Sequence, residues 1–158
     1  MTSVLKVIDV VDIGIEKEKA RQAFYDKVAG TFSDPDMKDL FTKLRDWEAG
    51  HVVKFESIRD DLKQMSTLES YPGEATAYIK ALVDDALYQQ VQPQSFAHHI
   101  KEPIEAINYG IGFEKDAILL FQELLEFVQS KNKDAIMKLI EEERHHIIQL
   151  IKLKQKLK

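Results

Sequence analysis

The sequence predicts an all-α domain, a bundle of four long helices arranged as two antiparallel hairpins that a long crossover joins. Apolar residues recur at three- and four-residue steps in four segments of the chain, which is the spacing of one helix face. Glycine and proline, which interrupt helices, are rare, at 6 and 4 of 158 residues. With 44% hydrophobic residues, the chain has the size and apolar content of a single domain over residues 1–158.

The first hairpin combines a helix over about residues 6–30 with a second helix that follows the sequence GTFSDPD. Ser33 and Asp34 are both N-cap candidates for the second helix, and Pro35 is expected in its first turn. Each helix has an apolar stripe that contains a glutamate. The stripes are Val11, Ile15, Glu18, Tyr25 and Ala29 in the first helix, and Phe41, Leu44, Glu48, His51, Phe55 and Ile58 in the second.

The second hairpin combines a third helix, from near Pro103 to about Ser130, with a fourth that begins near Asp134. The fourth helix ends in lysines, which suit the negative pole of a helix. Both stripes again contain a glutamate. The stripes are Ile104, Ile107, Ile111, Glu114, Ile118, Phe121, Leu125 and Val128 in the third helix, and Ile136, Ile140, Glu143, His146 or Ile147, and Leu150 in the fourth.

The crossover runs from about Thr67 to Ile100, which is too long for a tight turn and long enough to travel the length of a bundle. A short helix is expected inside it. The segment contains, in order, Tyr71-Pro72-Gly73, a helical stretch with Ile79, Leu82, Val83 and Leu87, and a break around Pro93.

Charge and composition exclude several classes of function. The net charge is -5 and the two signs are interleaved, so no basic surface favours nucleic acid or anionic lipid. The absence of cysteine excludes disulfides, thiol nucleophiles, cysteine-ligated zinc and iron–sulfur clusters. The first residues lack a basic leader with a cleavage site, and no run approaches the roughly 18 apolar residues of a membrane span. A soluble cytoplasmic protein is expected.

Two Glu-x-x-His pairs lie 95 residues apart, Glu48 with His51 and Glu143 with His146. Residues three apart share a helix face, so each pair directs a carboxylate and an imidazole at one point. The sequence EEERHH also permits a pairing of Glu142 with His145, but that row continues into polar residues, which predicts a surface position. The two halves of the chain match at offsets of 96 residues for the first and third helices and 95 for the second and fourth, which indicates a repeat.

Four glutamates and two histidines therefore replace apolar residues on four inward faces. Buried carboxylates need compensating positive charge, and we expect no lysine or arginine on these stripes to supply it. Two divalent ions would balance four carboxylates, and mixed oxygen and imidazole ligands suit iron, manganese or zinc. The alternative is that Glu18 and Glu114 lie at helix edges beside Lys17, Lys19 or Lys115, and that the histidines are hydrogen-bonded core residues.

On these residues the chain resembles the ferritin-like di-iron carboxylate superfamily, and within it a rubrerythrin-like protein without a rubredoxin domain. The superfamily pattern of a glutamate followed seven residues later by an aromatic is met by Glu18 with Tyr25 and by Glu114 with Phe121. The resemblance implies a ferritin-like four-helix bundle with two iron ions, or manganese or zinc. It implies these roles: terminal ligands Glu18 and Glu114, bridging ligands Glu48 and Glu143, and one capping histidine for each metal, His51 and His146.

The resemblance also implies a reaction with hydrogen peroxide or dioxygen in oxidative-stress defence, an external electron-donor protein, and a homo-oligomer such as a dimer. Tyr25 is the candidate for a hydrogen bond to a ligand or for electron supply, although a buried tyrosine with a satisfied hydroxyl has the same pattern. Two departures bear on the reaction: Ala117 stands where peroxidase-type rubrerythrins have an extra carboxylate, and the cysteines of a rubredoxin module are absent.

Two other functions stay open from the sequence: an iron-oxidising storage protein in a multimeric shell, and a non-catalytic helical module with a structural metal. Trp47, next to Glu48, is interpreted as a packing residue. The pair His98-His99, near the end of the crossover, is interpreted as solvated and not as a second site.

Overall fold

The computed structural model describes residues 5–64, 73–84, 96–128 and 130–158. These ranges contain helices and no strand, so the all-α prediction is confirmed. None of the helices in these ranges has the length and apolar content that crossing a membrane requires. In chain order the helices are α1 (Val7–Thr31), α2 (Pro35–Lys63), α3 (Gly73–Val83), α4 (Phe96–His99), α5 (Pro103–Leu125) and α6 (Ser130–Leu157).

The start of α2 settles which of the two N-cap candidates caps the helix. Asp34 Oδ1 accepts hydrogen bonds from the backbone N–H of Asp36 at 2.9 Å and of Met37 at 3.0 Å. Pro35 occupies the first turn, where its missing N–H has no intrahelical partner to lose. Ser33 therefore belongs to the short connection between α1 and α2.

The predicted boundary between the third and fourth long helices is wrong by several residues. Helix α5 ends at Leu125, where Ser130 was expected, and α6 already begins at Ser130, where Asp134 was expected. The backbone N–H groups of Phe127 and Val128 both donate to the carbonyl of Leu124, so the chain makes a tight turn there. Val128 is buried in the core, at 5% exposure, although it lies beyond the end of α5. An apolar residue at helical spacing therefore does not show that the helix extends that far.

The described parts of the crossover, α3 and α4, lie near the two ends of α1. Thr76 of α3 accepts a hydrogen bond from the N–H of Leu5, and Ile79 of α3 is buried near the start of α1. Phe96 of α4 packs instead on Phe24 near the end of α1, with ring centroids 5.8 Å apart. The predicted Tyr71-Pro72 break, Leu87 and the break at Pro93 lie outside the described residues.

The four long helices form a square in which neighbours are antiparallel. Arg45 of α2 pairs with Asp26 of α1, and Arg59 with Asp12, so α2 runs back along α1. Lys156 of α6 pairs with Asp36 of α2 at the opposite end from the Lys131–Asp61 pair.

Two apolar clusters fill the interior of this square. The first contains residues such as Ile15, Phe55 and Phe121, and the second contains residues such as Phe24, Phe41 and Phe113. Between them the stripes of α1, α2, α5 and α6 carry acidic and imidazole side chains in place of apolar ones. The core is thus interrupted by one buried polar layer.

Candidate metal centre

All six predicted ligands lie together in the polar layer. The four carboxylates are fully buried, and the two imidazoles are nearly so, at 3% and 4% exposure. The interpretation that Glu18 and Glu114 lie at helix edges beside lysines is therefore wrong. Nearby Lys17 donates instead to the carbonyl of Val83, and Lys19 lies 3.9 Å from Glu16. The six residues are Glu18, Glu48, His51, Glu114, Glu143 and His146.

The first group of ligand atoms surrounds Nδ1 of His51. This nitrogen lies 2.6 Å from Oε1 of Glu143, 3.2 Å from Oε2 of Glu48 and 3.6 Å from Oε2 of Glu18. One atom from each of the four residues can be chosen so that all lie within 4.8 Å of one another. We call these four residues the His51 group.

The second group surrounds Nδ1 of His146. This nitrogen lies 3.3 Å from Oε1 of Glu114, 3.3 Å from Oε2 of Glu143 and 3.4 Å from Oε1 of Glu48. The same 4.8 Å criterion holds for this set, which we call the His146 group. Glu48 and Glu143 belong to both groups, and each directs one oxygen at each histidine.

The composition of the layer is that of a metal-binding site. Several of its buried atoms have no hydrogen-bond partner among the described residues, a state that is unfavourable for a carboxylate removed from water. A cation between them would satisfy these atoms, and the mixed oxygen and imidazole donors fit iron, manganese or zinc. The atoms are Oε2 of Glu18, both Oε atoms of Glu48 and Glu143, Oε2 of Glu114, and Nδ1 of His51 and His146.

The structure places the two registers of EEERHH as the apolar stripe predicted, with one exception. Glu143 and His146 face the interior, whereas His145 is exposed and bonds to Gln149 at 2.7 Å. Glu142 has a side chain 41% exposed, but its Oε2 lies 2.8 Å from Nε2 of His51. Glu142 therefore lies at the surface as predicted, and its contact with His51, which was not predicted, is the exception.

This contact indicates which ring nitrogen of His51 carries the hydrogen in the neutral imidazole. When Nε2–H donates to Glu142, the lone pair of a neutral imidazole is left on Nδ1, which faces the three carboxylates. A carboxylate that fixes a ligand histidine in this way is a common neighbour of metal sites. In the sequence, Glu142 is the second glutamate of EEERHH and directly precedes the candidate ligand Glu143.

Arg21 contradicts the expectation that no cation lies on the inward faces. It is fully buried, its Nη2 contacts Oε1 of Glu18, and its Nε lies 3.5 Å from Oε2 of Glu48. Its Nη1 donates to the carbonyl of Phe113 on α5 at 3.1 Å. The signal was available, since position 21 lies between Glu18 and Tyr25 at helical spacing. One permanent positive charge therefore stands beside the carboxylates.

Tyr25 also reaches the layer, from α1 across to α5. Its hydroxyl donates to Oε1 of Glu114 at 2.6 Å, and the side chain is fully buried. Tyr25 thus has the buried position and satisfied hydroxyl of the alternative interpretation, and its acceptor is the candidate ligand Glu114 of the other repeat.

The pKa values of the buried carboxyls differ because their neighbours differ. Burial, with the charge of Glu48 added to it, raises the pKa of Glu18 to about 7, against the opposing charge of Arg21. Burial would also raise the pKa of Glu48, but the charge of Arg21 and the neighbouring side chains of Glu18 and His146 outweigh it and hold the pKa near 2. The pKa of Glu143 is also lowered, because the charge of Arg21 and the two imidazoles outweigh the effect of burial.

Both imidazoles hold a proton more tightly than an ordinary histidine does. Burial alone would lower the pKa of His146, but the ionised Glu143 and Glu48 outweigh burial and raise it to about 9. The pKa of His51 is raised further, since Glu143 and Glu48 lie closer to its Nδ1, at 2.6 Å and 3.2 Å, and Glu18 adds to their effect. Protons on these nitrogens compete directly with any metal ion.

No protein-family model matches this chain, and no curated protein matches it. Among solved structures, the chain is similar to a Thermotoga maritima protein whose 2.30 Å crystal structure is described as that of a candidate ferritin-like diiron-carboxylate protein. The sequences are 23% identical, the match covers 100% of each chain, and the TM-score is 0.74. The fold is ferritin-like.

In this ferritin-like bundle the histidine side of the layer opens to the surface between α2 and α6. A groove of about 620 Å³ reaches His51 and His146. Trp47 lies at its edge, 37% exposed, and its ring stacks on the ring of His146 with centroids 5.0 Å apart and planes at 9°. Trp47 therefore packs, as interpreted, but it packs on a candidate ligand.

On the opposite side of the ferritin-like bundle, α3 packs near α1 and α5. Between α1, α3 and α5 lies a cavity of about 20 Å³, which is about the space of one water molecule. Arg21 and Ala117 line this cavity, so a guanidinium and a methyl group face it. His99 of the crossover is half-buried and belongs to neither ligand group, and the side chain of His98 lies outside the described residues.

Proposed function

We propose that this protein binds two iron ions in the buried layer and reduces hydrogen peroxide or dioxygen with electrons from a separate donor protein, as a rubrerythrin-like peroxidase or oxidase. The observation that carries the proposal is the sharing of Glu48 and Glu143 between the two ligand groups. Two sets of four ligands with two carboxylates in common are the arrangement that a dinuclear centre needs.

The residues fall into distinct roles under this proposal. Glu18 and Glu114 would each bind one ion, and Glu48 and Glu143 would bridge the two ions. The imidazole Nδ1 atoms would complete the sets, His51 in one and His146 in the other. Two ferrous ions, when bound, supply the two electrons that convert one hydrogen peroxide and two protons into two water molecules, or dioxygen and two protons into hydrogen peroxide.

Neighbouring side chains hold these ligands in place. Glu142 accepts the Nε2 proton of His51 and so directs its Nδ1 inward. Tyr25 donates to Glu114 and fixes one of its oxygens. Because these hydrogen bonds are present before a metal ion binds, the side chains need little reorganisation when it does.

The cavities favour a small oxidant over an organic substrate. On the carboxylate side, the described residues leave about 20 Å³ beside Arg21, too little for anything much larger than water. The larger groove faces the histidine side, where Trp47 and the two imidazoles separate it from the carboxylates. A diatomic or peroxide molecule needs far less space than an organic substrate.

The electron donor is proposed to be a separate protein. The 158 residues contain no cysteine, so an iron–sulfur or rubredoxin-type relay must lie outside them. A homo-oligomer, in the simplest case a dimer, and a cytoplasmic location complete the proposal.

Stopped-flow mixing tests the reaction. The iron-loaded, reduced protein is mixed with hydrogen peroxide or with air-saturated buffer, and oxidation is followed optically. Oxidation should be much faster with peroxide; equal or negligible rates would remove the peroxidase assignment.

Sedimentation analysis of the same sample separates a small oligomer from the many-subunit shell of an iron-storage protein.

A further inference from the structure

The two ligand groups are alike in their ligands and unlike in what touches them. The repeat supplies each group with a terminal glutamate, a histidine and the two shared carboxylates. The terminal glutamate of the His51 group, Glu18, contacts the guanidinium of Arg21. Its counterpart in the His146 group, Glu114, accepts a hydrogen bond from the neutral hydroxyl of Tyr25. A charge therefore distinguishes the two halves.

Arg21 is fixed in this position. Its side chain is 1% exposed and contacts α1, α2 and α5 through three different nitrogens, on Glu18, Glu48 and the carbonyl of Phe113. A guanidinium cannot lose its charge at any pH that the fold would survive. The charge is therefore a constant feature of the layer.

The charge lies nearer to the His51 group. Its Nε faces Oε2 of Glu48, the oxygen directed at His51, whereas the other oxygen of Glu48 is directed at His146. Arg21 also uses Oε1 of Glu18, which belongs only to the His51 group. A cation entering that group meets a like charge at close range in a buried, weakly screened environment, and competes for a carboxylate that is already paired.

We propose that Arg21 makes the two metal positions unequal, so that the His146 group takes the first divalent ion and the His51 group takes the second ion more weakly. This inference rests on the proposed dinuclear centre. The second ion meets the charges of Arg21 and of the first ion, and is the exchangeable one. Four carboxylates against one arginine still leave negative charge for both ions.

Titration of the protein with Zn²⁺ at constant pH, after chelator treatment, tests the order of filling. Calorimetry should give two steps whose dissociation constants differ by at least about tenfold. Trp47 is the one tryptophan in the chain and stacks on His146, so its fluorescence should change when a metal ion binds to the His146 group. The emission should change during the first step and stay nearly constant during the second.

Variants of Arg21 test the cause. Arg21→Gln should tighten the second step and bring the two constants within about threefold of each other, whereas Arg21→Lys should keep most of the gap. Arg59→Gln, a change at a partly exposed arginine paired with Asp12, is the matched control and should leave both steps unchanged. If Arg21→Gln folds only with metal, chelator extraction replaces titration: the wild type should lose one ion fast and one slowly, and the variant should lose both at similar rates.

The possible failures are distinguishable. Equal constants in the wild type, a gap that survives Arg21→Gln, or a Trp47 signal confined to the second step would each overturn the inference while leaving a dinuclear centre. Failure to bind Zn²⁺ at all, or binding of only one ion by wild type and all variants, would overturn the proposed function with it.

Discussion

Metal binding by the buried layer is expected to tighten steeply as the pH rises from 7 to 9. The proton on His146 is stabilised by the carboxylates around it, which raise the pKa of this imidazole from 6.5 to about 9. The pKa of His51 is raised further by three carboxylates. Because a divalent ion and a proton compete for the same Nδ1 atom, each imidazole must lose its proton before it can bind metal.

The magnitude follows from these pKa values. At pH 7 the proton on His146 should weaken the apparent binding of an ion at that position by about 100-fold, since the pH lies about two units below the pKa. With a second proton displaced from His51, the combined binding constant for two ions should rise by about 100-fold for each unit of pH.

In the presence of a chelator, the stability of the protein should change in the opposite direction. The pKa of His146 in the folded protein, about 9, lies above the 6.5 of an ordinary histidine, so the folded state binds the proton more tightly. The resulting stabilisation is fully present below about pH 6.5 and is lost as the pH rises through about 9. It amounts to about 3 kcal/mol, at about 1.4 kcal/mol for each pKa unit.

Calorimetric titration with Mn²⁺ measures the protons directly. Repeating the titration at pH 7.5 in buffers of different ionisation enthalpy gives the number of protons released, which should be about two when both positions fill. His145→Ala, a change at an exposed histidine outside both groups, is the control and should not alter this number. Release of less than one proton, or an affinity that does not change between pH 7 and pH 8, would refute the reasoning.

Three further predictions concern individual groups and the metal itself. Glu48→Ala and Glu143→Ala should each abolish the binding of the metal pair, measured by metal analysis after gel filtration, whereas Glu142→Ala should weaken binding by about 10–100-fold without changing the stoichiometry; a Glu142→Ala protein that binds no metal would contradict the assignment. Tyr25→Phe removes a buried hydrogen bond and should lower the free energy of unfolding by about 1–2 kcal/mol in denaturant titrations, with metal stoichiometry retained. Metal at about 100 times its dissociation constant should stabilise the fold by about 2.7 kcal/mol per ion and raise the melting temperature by several degrees, and equal melting temperatures with and without chelator would contradict a buried site.

The sequence predicts the architecture well because apolar periodicity determines it. A stripe such as Phe41, Leu44 and Phe55 on α2 must be buried, and four such stripes leave few arrangements other than a bundle. The same periodicity chose between the two registers of EEERHH, because Glu143 continues an apolar row and Glu142 does not. Helix ends were predicted less well, since Val128 packs in the core from a turn as readily as from a helix.

Two neighbours of the ligands were missed for a physical reason. Arginine and glutamate are expected at the surface, so the helical spacing of Arg21 from Glu18, and the place of Glu142 beside Glu143, do not by themselves indicate an inward contact. Arg21 reaches the layer because Glu18 and a carbonyl of α5 stabilise its charge there. Glu142 on α6 reaches His51 on the neighbouring helix α2 from a partly exposed position. The contacts of Arg21 with Glu48 and with the carbonyl of Phe113, and that of Glu142 with His51, depend on the distance between helices, which the sequence does not specify.

Anomalous X-ray diffraction from crystals grown with Fe²⁺ or Mn²⁺ tests the dinuclear centre most directly. Two peaks are expected about 3.5–4 Å apart, one beside Nδ1 of His51 and one beside Nδ1 of His146, with Glu48 and Glu143 between them. A single peak, or metal bound at the exposed His145 with the buried layer empty, would contradict a dinuclear centre in this fold.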